Sequence, residues 1–243
     1  MVLENNFQII EFDAEVLREY DIRGIVDKNI TTNTAYTIGR VFGNEVLSRL
    51  SSNNISVGYD GRLTSPKLFR ALSEGLKDSG SIVSNIGICP TPMLYFADYH
   101  LNTDAAIMIT GSHNPSEYNG FKLVLNKHSF YSDDIQNFQK IVLNNKLNKK
   151  QGKINNVEIK DDYVQRILKN IFIKKKLKIS WDIGNGAMGV IIEELISKLY
   201  NTENILLNKE VDGNFPNHHP DPTVPKNMEQ LIKSVKENNC DLG

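Results

Sequence analysis

The chain has 243 residues, of which 40% are hydrophobic and 23% are charged, a balance typical of a globular protein and not of a disordered one. Its formal net charge of -1 gives no long-range attraction to nucleic acid or to an anionic membrane, so neither is expected as a partner. The longest apolar runs, such as residues 105–109, are far shorter than the roughly 20 residues that a membrane-spanning helix needs.

Two features of the sequence indicate a cytoplasmic location. The N-terminal residues MVLENNFQII lack the basic stretch and the long apolar core of a secretory signal. The two cysteines, Cys89 and Cys240, are too few for a disulfide framework, and we expect both to be reduced thiols.

The first half of the chain alternates between helical and strand periodicity. Apolar residues recur at helical spacing through 38–50. Ser65 and Pro66 suit the N-cap and first position of the next helix, which stops at Gly80. This alternation predicts right-handed crossover units on a largely parallel sheet. The other predicted elements are strands at 55–60, 81–86, 104–110 and 119–125 and helices at 91–101 and 133–143.

The second half resumes the alternation after a polar stretch. Residues 144–156, NNKLNKKQGKINN, show no apolar period and are interpreted as a linker. Two domains are therefore expected, at 1–150 and 157–243. The final residues, CDLG, resemble the start of another buried strand, so the second domain is expected to be incomplete at its C-terminus. Beyond the linker the prediction gives helices at 161–171, 187–199 and 226–238 and strands at 177–183 and 204–207.

A glycine-rich segment, GNGAMG at 184–189, follows a predicted strand and opens a predicted helix. This context fits the turn that binds the pyrophosphate of a dinucleotide. However, Asn208 stands where an acidic residue would be needed at the end of the next strand. A tight turn that needs glycine for its dihedral angles is the alternative interpretation.

Two adjacent histidines, His218 and His219, lie with Asp221 in the segment FPNHHPDP and suggest a metal site. Neighbouring side chains of an extended segment point to opposite sides, which works against both histidines binding one ion. The three prolines of this segment favour a stiff loop instead.

The segment TGSHNP at 110–115 brings a serine and a histidine into one loop directly after a buried strand. Gly111 removes side-chain bulk beside Ser112, and Asn114 with Pro115 favours a turn. The chain then returns as a strand in which alternation separates Lys122 from Phe121 and Leu123, so Lys122 could face the same cleft as Ser112. A hydroxyl near an imidazole and an ammonium suits transfer of an anionic group. A capped turn with incidental polar residues is the alternative.

Two arginines follow acidic residues in short motifs. Arg23 in EYDIRG could clamp a phosphate or a sugar hydroxyl, although a surface salt bridge is the simpler interpretation. Arg62 in GYDGR follows a strand end and is interpreted as structural.

Five motifs in the same order resemble those of the α-D-phosphohexomutases, in particular the bacterial phosphomannomutase/phosphoglucomutase branch. The resemblance runs from Phe12 to Gly243 and implies an α/β fold with two three-layer domains and mixed sheets. It also favours the structural interpretation of GNGAMG. The motifs are EYDIRG at 19–24, GYDGRLTSP at 58–66, TGSHNPSEYNGFK at 110–122, DIGNGAMG at 182–189 and DGNFPNHHPDP at 212–222.

The resemblance implies a phosphorylated serine at Ser112, with His113 and Asn114 as the neighbours that shape the site. In such enzymes the phosphoserine gives its phosphate to a hexose monophosphate. The hexose 1,6-bisphosphate turns around in the cleft, and its other phosphate returns to the serine. The net result moves phosphate between C1 and C6 of glucose or mannose phosphate.

The resemblance also assigns the residues around the sugar and implies Mg²⁺ as cofactor. Lys122 and Arg23 match the pair that handles the proton of the attacking hydroxyl, and Tyr20 matches a tyrosine that contacts substrate. A phosphoserine carries a charge of about -1.5 to -2 at neutral pH, which Mg²⁺ and basic side chains offset. Ser112 would contact the metal through its phosphate.

The family's metal loop, an Asp-Gly-Asp-Gly-Asp-Arg run, is expected just after Gly243. The chain alone is therefore expected to show little or no mutase turnover, and a complementary C-terminal half is a candidate partner. Two other hypotheses remain: a non-catalytic remnant or binding module with this fold, and a dinucleotide-dependent oxidoreductase that uses GNGAMG.

Overall fold

The computed structural model describes residues 6–144, 147 and 149–243. The N-terminal segment MVLENNFQII, which was examined for a secretory signal, is described only from residue 6 onward. The strands and helices between Ile22 and Asn156 are arranged around one sheet. Its strands are β1 (Ile22–Ile25), β2 (Asn54–Tyr59), β3 (Ile82–Ile88), β4 (Ala105–Ile109), β5 (Tyr118–Leu125), β6 (His128–Phe130) and β7 (Lys153–Asn156), and its helices are α1 (Thr32–Leu50), α2 (Ser65–Asp78), α3 (Thr91–His100) and α4 (Asp133–Leu143).

The seven-stranded sheet is mixed, with the order β1-β5-β4-β2-β3-β7 and with β6 paired to β5. Strand β2 runs parallel to both β3 and β4, and β3 runs parallel to β7. Strand β5 is antiparallel to β1, β4 and β6. The carboxyl ends of β2 and β4 therefore meet at one edge, where Asp60 and Thr110 leave the sheet.

Helices cover both faces of this sheet, which makes three layers. One core cluster joins apolar residues of α1, α2 and α4 to one face of the strands. The second joins residues of α3 to the opposite face and also receives residues from the later part of the chain. Because every residue of β4 is buried, that strand reads as a continuous apolar run and not as an alternating one.

Helices α1 and α2 cross at two glycines that allow close backbone contact. A Cβ on Gly39 would lie 2.3 Å from the carbonyl oxygen of Leu72, and one on Gly75 would lie 2.2 Å from the carbonyl oxygen of Tyr36. These glycines set how closely α1 and α2 approach each other.

The later part of the chain adds a second, smaller sheet. Strand β8 (Leu177–Asp182) runs parallel to β9 (Thr202–Leu207), with α5 (Lys160–Leu168), α6 (Ile192–Ser197) and α7 (Glu229–Glu237) around them. Leu242 forms an isolated parallel bridge with Ile179, and its carbonyl oxygen accepts from the Ser180 amide at 3.0 Å. The start of another buried strand predicted for these last residues is seen only as this single bridge, and Leu242 is exposed. None of the helices in the described part of the chain combines the length and apolar character needed to cross a membrane.

The linker prediction for 144–156 is wrong at its end. Residues 153–156 form β7, which pairs in parallel with β3. All four residues of β7 are exposed, so backbone pairing at the sheet edge forms this strand without any apolar alternation in the sequence. Positions 145, 146 and 148 of the predicted linker lie outside the described residues.

Three helix predictions need smaller corrections. Thr64, and not Ser65, is the N-cap of α2, and Ser65 is the first helical residue. The Ser65 hydroxyl donates to Asp60 Oδ1 at 2.7 Å. The helix predicted at 187–199 begins as a 3-10 turn at Ala187–Val190 and becomes α-helical only at α6. The helix predicted at 226–238 likewise opens with a 3-10 turn at Pro225–Met228.

Candidate active site

The Ser112 loop begins where the fully buried strand β4 ends. Ser112 has a left-handed backbone with φ of 54°, and its amide donates to Thr110 Oγ1 at 2.9 Å. Its side chain is exposed, with Oγ 3.4 Å from Nδ1 of His113. The hydroxyl is therefore open to a ligand while the backbone beneath it is fixed.

Asp60 ties this loop to the sheet from the end of β2. Its Oδ2 accepts from Thr110 Oγ1 at 2.8 Å and from the Gly111 amide at 3.2 Å. Its Oδ1 accepts from the Ser65 hydroxyl at the start of α2. One carboxylate thus joins two strand ends and a helix at the base of the loop.

Arg62 holds the rest of the loop from inside. Its side chain is only 1% exposed. Its Nη2 donates to the carbonyl oxygens of Ser112 at 2.9 Å and Asn114 at 2.7 Å, and its Nη1 donates to those of Pro115 at 2.6 Å and Tyr118 at 3.1 Å. Burial lowers the pKa of Arg62, and Asp60 opposes that shift. The guanidinium stays charged and fixes the shape of the loop.

Gly111 leaves the space that this guanidinium occupies. A Cβ at position 111 would lie 2.4 Å from Arg62 Cζ and 2.8 Å from the Tyr118 carbonyl oxygen. The absence of a side chain beside Ser112 is thus required by Arg62 packing against the loop.

Asn114 and His113 have different places in the loop. The Asn114 side chain donates to the Gly111 carbonyl oxygen at 2.7 Å and closes the turn. His113 is exposed and lies close enough to Asp221 to contribute to the lowered pKa of that carboxyl group, whose main cause is the hydrogen bond from the Thr223 hydroxyl. Asn114 thus shapes the turn, whereas the His113 side chain stays exposed beside Ser112.

Arg23 and Lys122 meet at a buried carboxylate, Asp21. Arg23 Nε donates to Asp21 Oδ2 at 3.1 Å, and its Nη2 contacts the same oxygen. Lys122 Nζ lies 3.6 Å from that oxygen. Both cationic side chains keep partial exposure, 20% for Arg23 and 31% for Lys122. Asp21 thus holds two cationic groups side by side with room to contact an anion.

Lys122 and Tyr20 line one cavity together. It has a volume of about 380 Å³. The Tyr20 ring is 70% exposed and stacks on Tyr131, with ring centroids 6.5 Å apart. The cavity is lined by Tyr20, Tyr95, Lys122, Leu123, Ser129 and Tyr131.

Ser112 opens into a different cavity, of about 290 Å³, between the two sheets' loops. Thr110 and Asp60 line it from the first sheet, and Gly186 and Phe215 line it from the later part of the chain. The structure thus brings Arg23, Lys122 and Tyr20 together, and it places Ser112, His113 and Asn114 in a neighbouring loop. Lys122 lines the first cavity and Ser112 the second, so the shared cleft expected for these two residues is not seen as one cavity.

The GNGAMG segment forms a tight turn. Gly184 has φ of 57° in the left-handed region, and a Cβ on Gly189 would lie 2.3 Å from the Lys209 carbonyl oxygen. The segment continues into the 3-10 turn at Ala187–Val190. The amides of a regular α-helix N-terminus, on which the dinucleotide interpretation depends, do not begin there. Both observations favour the turn interpretation.

His218 and His219 do not act as a pair. His218 Nε2 lies 2.9 Å from Asp182 Oδ2, and its Nδ1 lies 2.9 Å from the His219 carbonyl oxygen. This histidine fastens the proline-rich loop to the end of β8.

Sequence reasoning missed Asp21 and Asp60, and it treated Arg62 as structural without linking it to Ser112. All three stand in the short motifs EYDIRG and GYDGR. An aspartate two positions before an arginine was the available signal, but spacing along the chain does not show which distant loop such a pair contacts.

The structure defines an α/β protein in which an exposed serine follows a buried parallel strand and is fixed by a buried arginine. Residues 14–149 match the family domain described as phosphoglucomutase/phosphomannomutase, alpha/beta/alpha domain I, and residues 161–243 match domain II. The chain belongs to the phosphoglucomutase/phosphomannomutase family.

Similar proteins agree with this assignment. A phosphomannomutase/phosphoglucomutase from Pseudomonas syringae is 46% identical over 228 residues, which cover 94% of this chain and 49% of the relative. A phosphoglucomutase from Neisseria meningitidis serogroup A is 40% identical over 231 residues, with coverage of 94% and 50%. A crystal structure of a family protein from Burkholderia thailandensis aligns with a TM-score of 0.88 at 37% identity, covering 94% of this chain and 51% of that one. The chain spans about half the length of these relatives.

Proposed function

We propose that this chain is part of a phosphohexomutase that interconverts hexose 1-phosphate and hexose 6-phosphate, with Ser112 as the phosphoryl carrier. The main support is the exposed Ser112 hydroxyl on a backbone held by Arg62 and Asp60. Phosphoryl transfer requires mainly accurate positioning and charge neutralisation, and this loop supplies the first. In this proposal residues 1–150, together with β7 at the edge of the same sheet, form the domain with the serine loop, and residues 157–243 form the second domain.

The proposed cycle forms and breaks one phosphorus–oxygen bond at each step. Phosphoserine 112 gives its phosphoryl group to a sugar hydroxyl, so the bond to Ser112 Oγ breaks as the bond to the sugar oxygen forms. Lys122, after releasing its own proton to solvent, accepts the hydroxyl proton beside the cation Arg23, and it returns this proton to the sugar oxygen that the second phosphoryl group leaves. The shared contact of Lys122 and Arg23 with Asp21 supports a joint role. The other phosphate of the hexose 1,6-bisphosphate then returns to Ser112.

The proposed substrates are glucose and mannose phosphates. The names of the relatives, phosphomannomutase/phosphoglucomutase and phosphoglucomutase, support this substrate class. Tyr20 offers an exposed ring against which a sugar can stack, and Asn114 and His113 shape the loop that meets the phosphate.

Mg²⁺ is the cofactor that the family implies, and when bound it would neutralise charge on the phosphate of Ser112. Among residues 6–144, 147 and 149–243, no group of three or more His, Cys, Asp or Glu side chains could hold a metal ion. The side chains in the described part of the chain therefore do not form a full metal site.

A coupled isomerase assay tests the proposal. The 243-residue chain is mixed with glucose 1-phosphate, Mg²⁺ and glucose 1,6-bisphosphate, with and without the separately expressed C-terminal half of the Pseudomonas syringae relative. Little or no turnover is expected from the chain alone, and turnover is expected when the second half is added. Robust turnover by the chain alone would contradict the expected need for a complementary half.

A further inference from the structure

Phe215 has a backbone conformation that bulky residues seldom adopt. Its φ is 51°, in the left-handed region that favours glycine. A strained conformation of this kind persists only where the surrounding structure imposes it, and such residues concentrate at functional sites. The contacts of the Phe215 ring therefore matter for the role of this residue.

The segment that carries Phe215 packs directly on the backbone next to Arg62. A Cβ on Gly213 would lie 2.6 Å from the Leu63 amide nitrogen and 2.7 Å from Arg62 Cα. The approach leaves no room for a side chain at that point, so the position of Phe215 is tied to that of Arg62.

The ring of Phe215 lies over the guanidinium of Arg62, with Cζ 5.3 Å from the ring centroid. This distance is within the range of a cation–π contact, which is stronger when the cation is shielded from water. The N–H groups of Arg62 donate to the carbonyl oxygens of the Ser112 loop and to Asp60, while its Cζ lies over the Phe215 ring. The two sets of contacts complement each other and together fix one orientation of the side chain.

We propose that Phe215 is a positioning residue for the Ser112 loop and acts through Arg62. The ring restricts the guanidinium to the orientation in which it holds the carbonyl oxygens of Ser112 and Asn114. Phe215 also lines the cavity into which Ser112 opens, so the second part of the chain forms one wall of that site and stabilises the loop opposite it. Only the catalytic meaning of this arrangement rests on the proposed function.

Three substitutions in the 243-residue chain separate the ring from the backbone. Phe215→Gly relieves the left-handed strain and removes the ring. Phe215→Leu keeps apolar bulk but has no aromatic face, and Phe215→Tyr keeps that face. Phe172→Leu is the matched control, because Phe172 is 77% exposed in the same part of the chain.

The measurement is amide hydrogen exchange at Gly111 and Ser112, together with the NMR resonance of the Arg62 Nε–H group. Phe215→Gly and Phe215→Leu are expected to accelerate exchange at both amides by about tenfold or more and to shift the Arg62 resonance. Phe215→Tyr and Phe172→Leu are expected to match the unsubstituted chain.

Unchanged exchange in Phe215→Leu, or equal acceleration in Phe215→Leu and Phe215→Tyr, would overturn the proposal. The leucine and tyrosine variants keep the test decisive if the glycine variant does not fold. No sugar phosphate takes part in this experiment, so its result is independent of whether Ser112 carries phosphate.

Discussion

The guanidinium of Arg62 directs its N–H groups to Asp60 and to carbonyl oxygens of the Ser112 loop. Lysine offers a point charge with three donors and cannot reproduce this planar set of contacts. Arg62→Lys is therefore expected to lower the free energy of unfolding by about 2–4 kcal/mol, because buried carbonyl oxygens lose their donors. Urea denaturation measures the change.

Arg49→Lys is the control for this substitution. Arg49 is 37% exposed and pairs with Glu45 and Asp134 on the surface. Exposed ion pairs contribute about 0–1 kcal/mol, so a small effect is expected. Equal effects of the two substitutions would show that Arg62 does not organise the loop.

Lys122 provides an ammonium group with partial exposure beside Arg23. Under the proposed function this ammonium group also donates to the phosphate of bound glucose 1-phosphate before any proton transfer. A charge-assisted hydrogen bond to phosphate is stronger than a neutral one, so Lys122→Gln is expected to weaken binding of glucose 1-phosphate about tenfold. NMR titration of the chain measures the dissociation constant. Lys176→Gln, at a side chain that is 76% exposed, is expected to leave the constant unchanged. The same loss in both variants would mean that Lys122 adds only general charge.

Features that depend only on local order were predictable from the sequence, whereas the roles of the site residues stay predictions. Ser112, its glycine neighbour and the turn at Asn114 follow one another, and alternation along β5 correctly separated Lys122 from Phe121, which is fully buried. Asp21 and Arg62 could not be assigned to this site in the same way. Their functions depend on contacts with residues about 50 to 100 positions away in the chain, such as Arg62 with Ser112 and Asp21 with Lys122.

At the level of helices, the crossing of α1 and α2 depends on glycine. Alanine at Gly75 would gain about 1 kcal/mol in helix propensity. However, its Cβ would lie 2.2 Å from the Tyr36 carbonyl oxygen, so the helices would have to separate. Gly75→Ala is expected to lower the free energy of unfolding by about 1–3 kcal/mol in urea denaturation, since the destabilisation by overpacking exceeds the stabilisation from helix propensity.

Gly87→Ala is the comparison for Gly75→Ala, because it adds a methyl group at a glycine without a steric clash. Position 87 has φ of 74° but open space within 4 Å, so only backbone strain would oppose a side chain. Stabilisation by Gly75→Ala would show that α1 and α2 have room to move apart without loss.

Cys89 lies where β3 meets α3, and burial raises its pKa from 9.0 to about 12. Because the folded-state pKa exceeds the unfolded one, the stability from this neutral thiol is complete below about pH 9 and is lost as the pH rises toward 12. In a Cys240→Ser background, the free energy of unfolding is expected to fall more steeply between pH 8 and about 10.5 than in Cys89→Ala with Cys240→Ser. Parallel pH profiles would mean that Cys89 is not shielded.

Element prediction succeeded where apolar periodicity is strong, as in α2, whose Leu68, Leu72 and Leu76 are fully buried. It failed at β7, whose exposed residues are held at the sheet edge by backbone pairing, and it also overlooked the short strands β1 and β6. The helices predicted at 187–199 and 226–238 begin with 3-10 turns at Ala187 and Pro225. A 3-10 turn differs from an α-helical turn in its hydrogen-bond pattern, which apolar spacing does not reveal.

In the molecule as a whole, the loops of the two sheets meet around Ser112. Gly61 leaves space for Val211, since a Cβ there would lie 2.3 Å from Val211 Cγ1, and Phe215 covers Arg62. The resemblance of the five motifs predicted the α/β fold correctly, but it could not show that the fifth motif contacts the second. That contact makes the serine loop depend on both parts of the chain.

The role of Ser112 is tested most directly by joining residues 1–243 to the C-terminal half of a family relative and comparing the fusion with its Ser112→Ala form. Hexose-phosphate isomerisation is followed in the presence of Mg²⁺ and glucose 1,6-bisphosphate. Removal of the residue that carries the covalent intermediate is expected to reduce turnover by a factor on the order of 10³ or more. Undiminished isomerisation by an active fusion with alanine at position 112 would contradict the assignment of Ser112 as phosphoryl carrier.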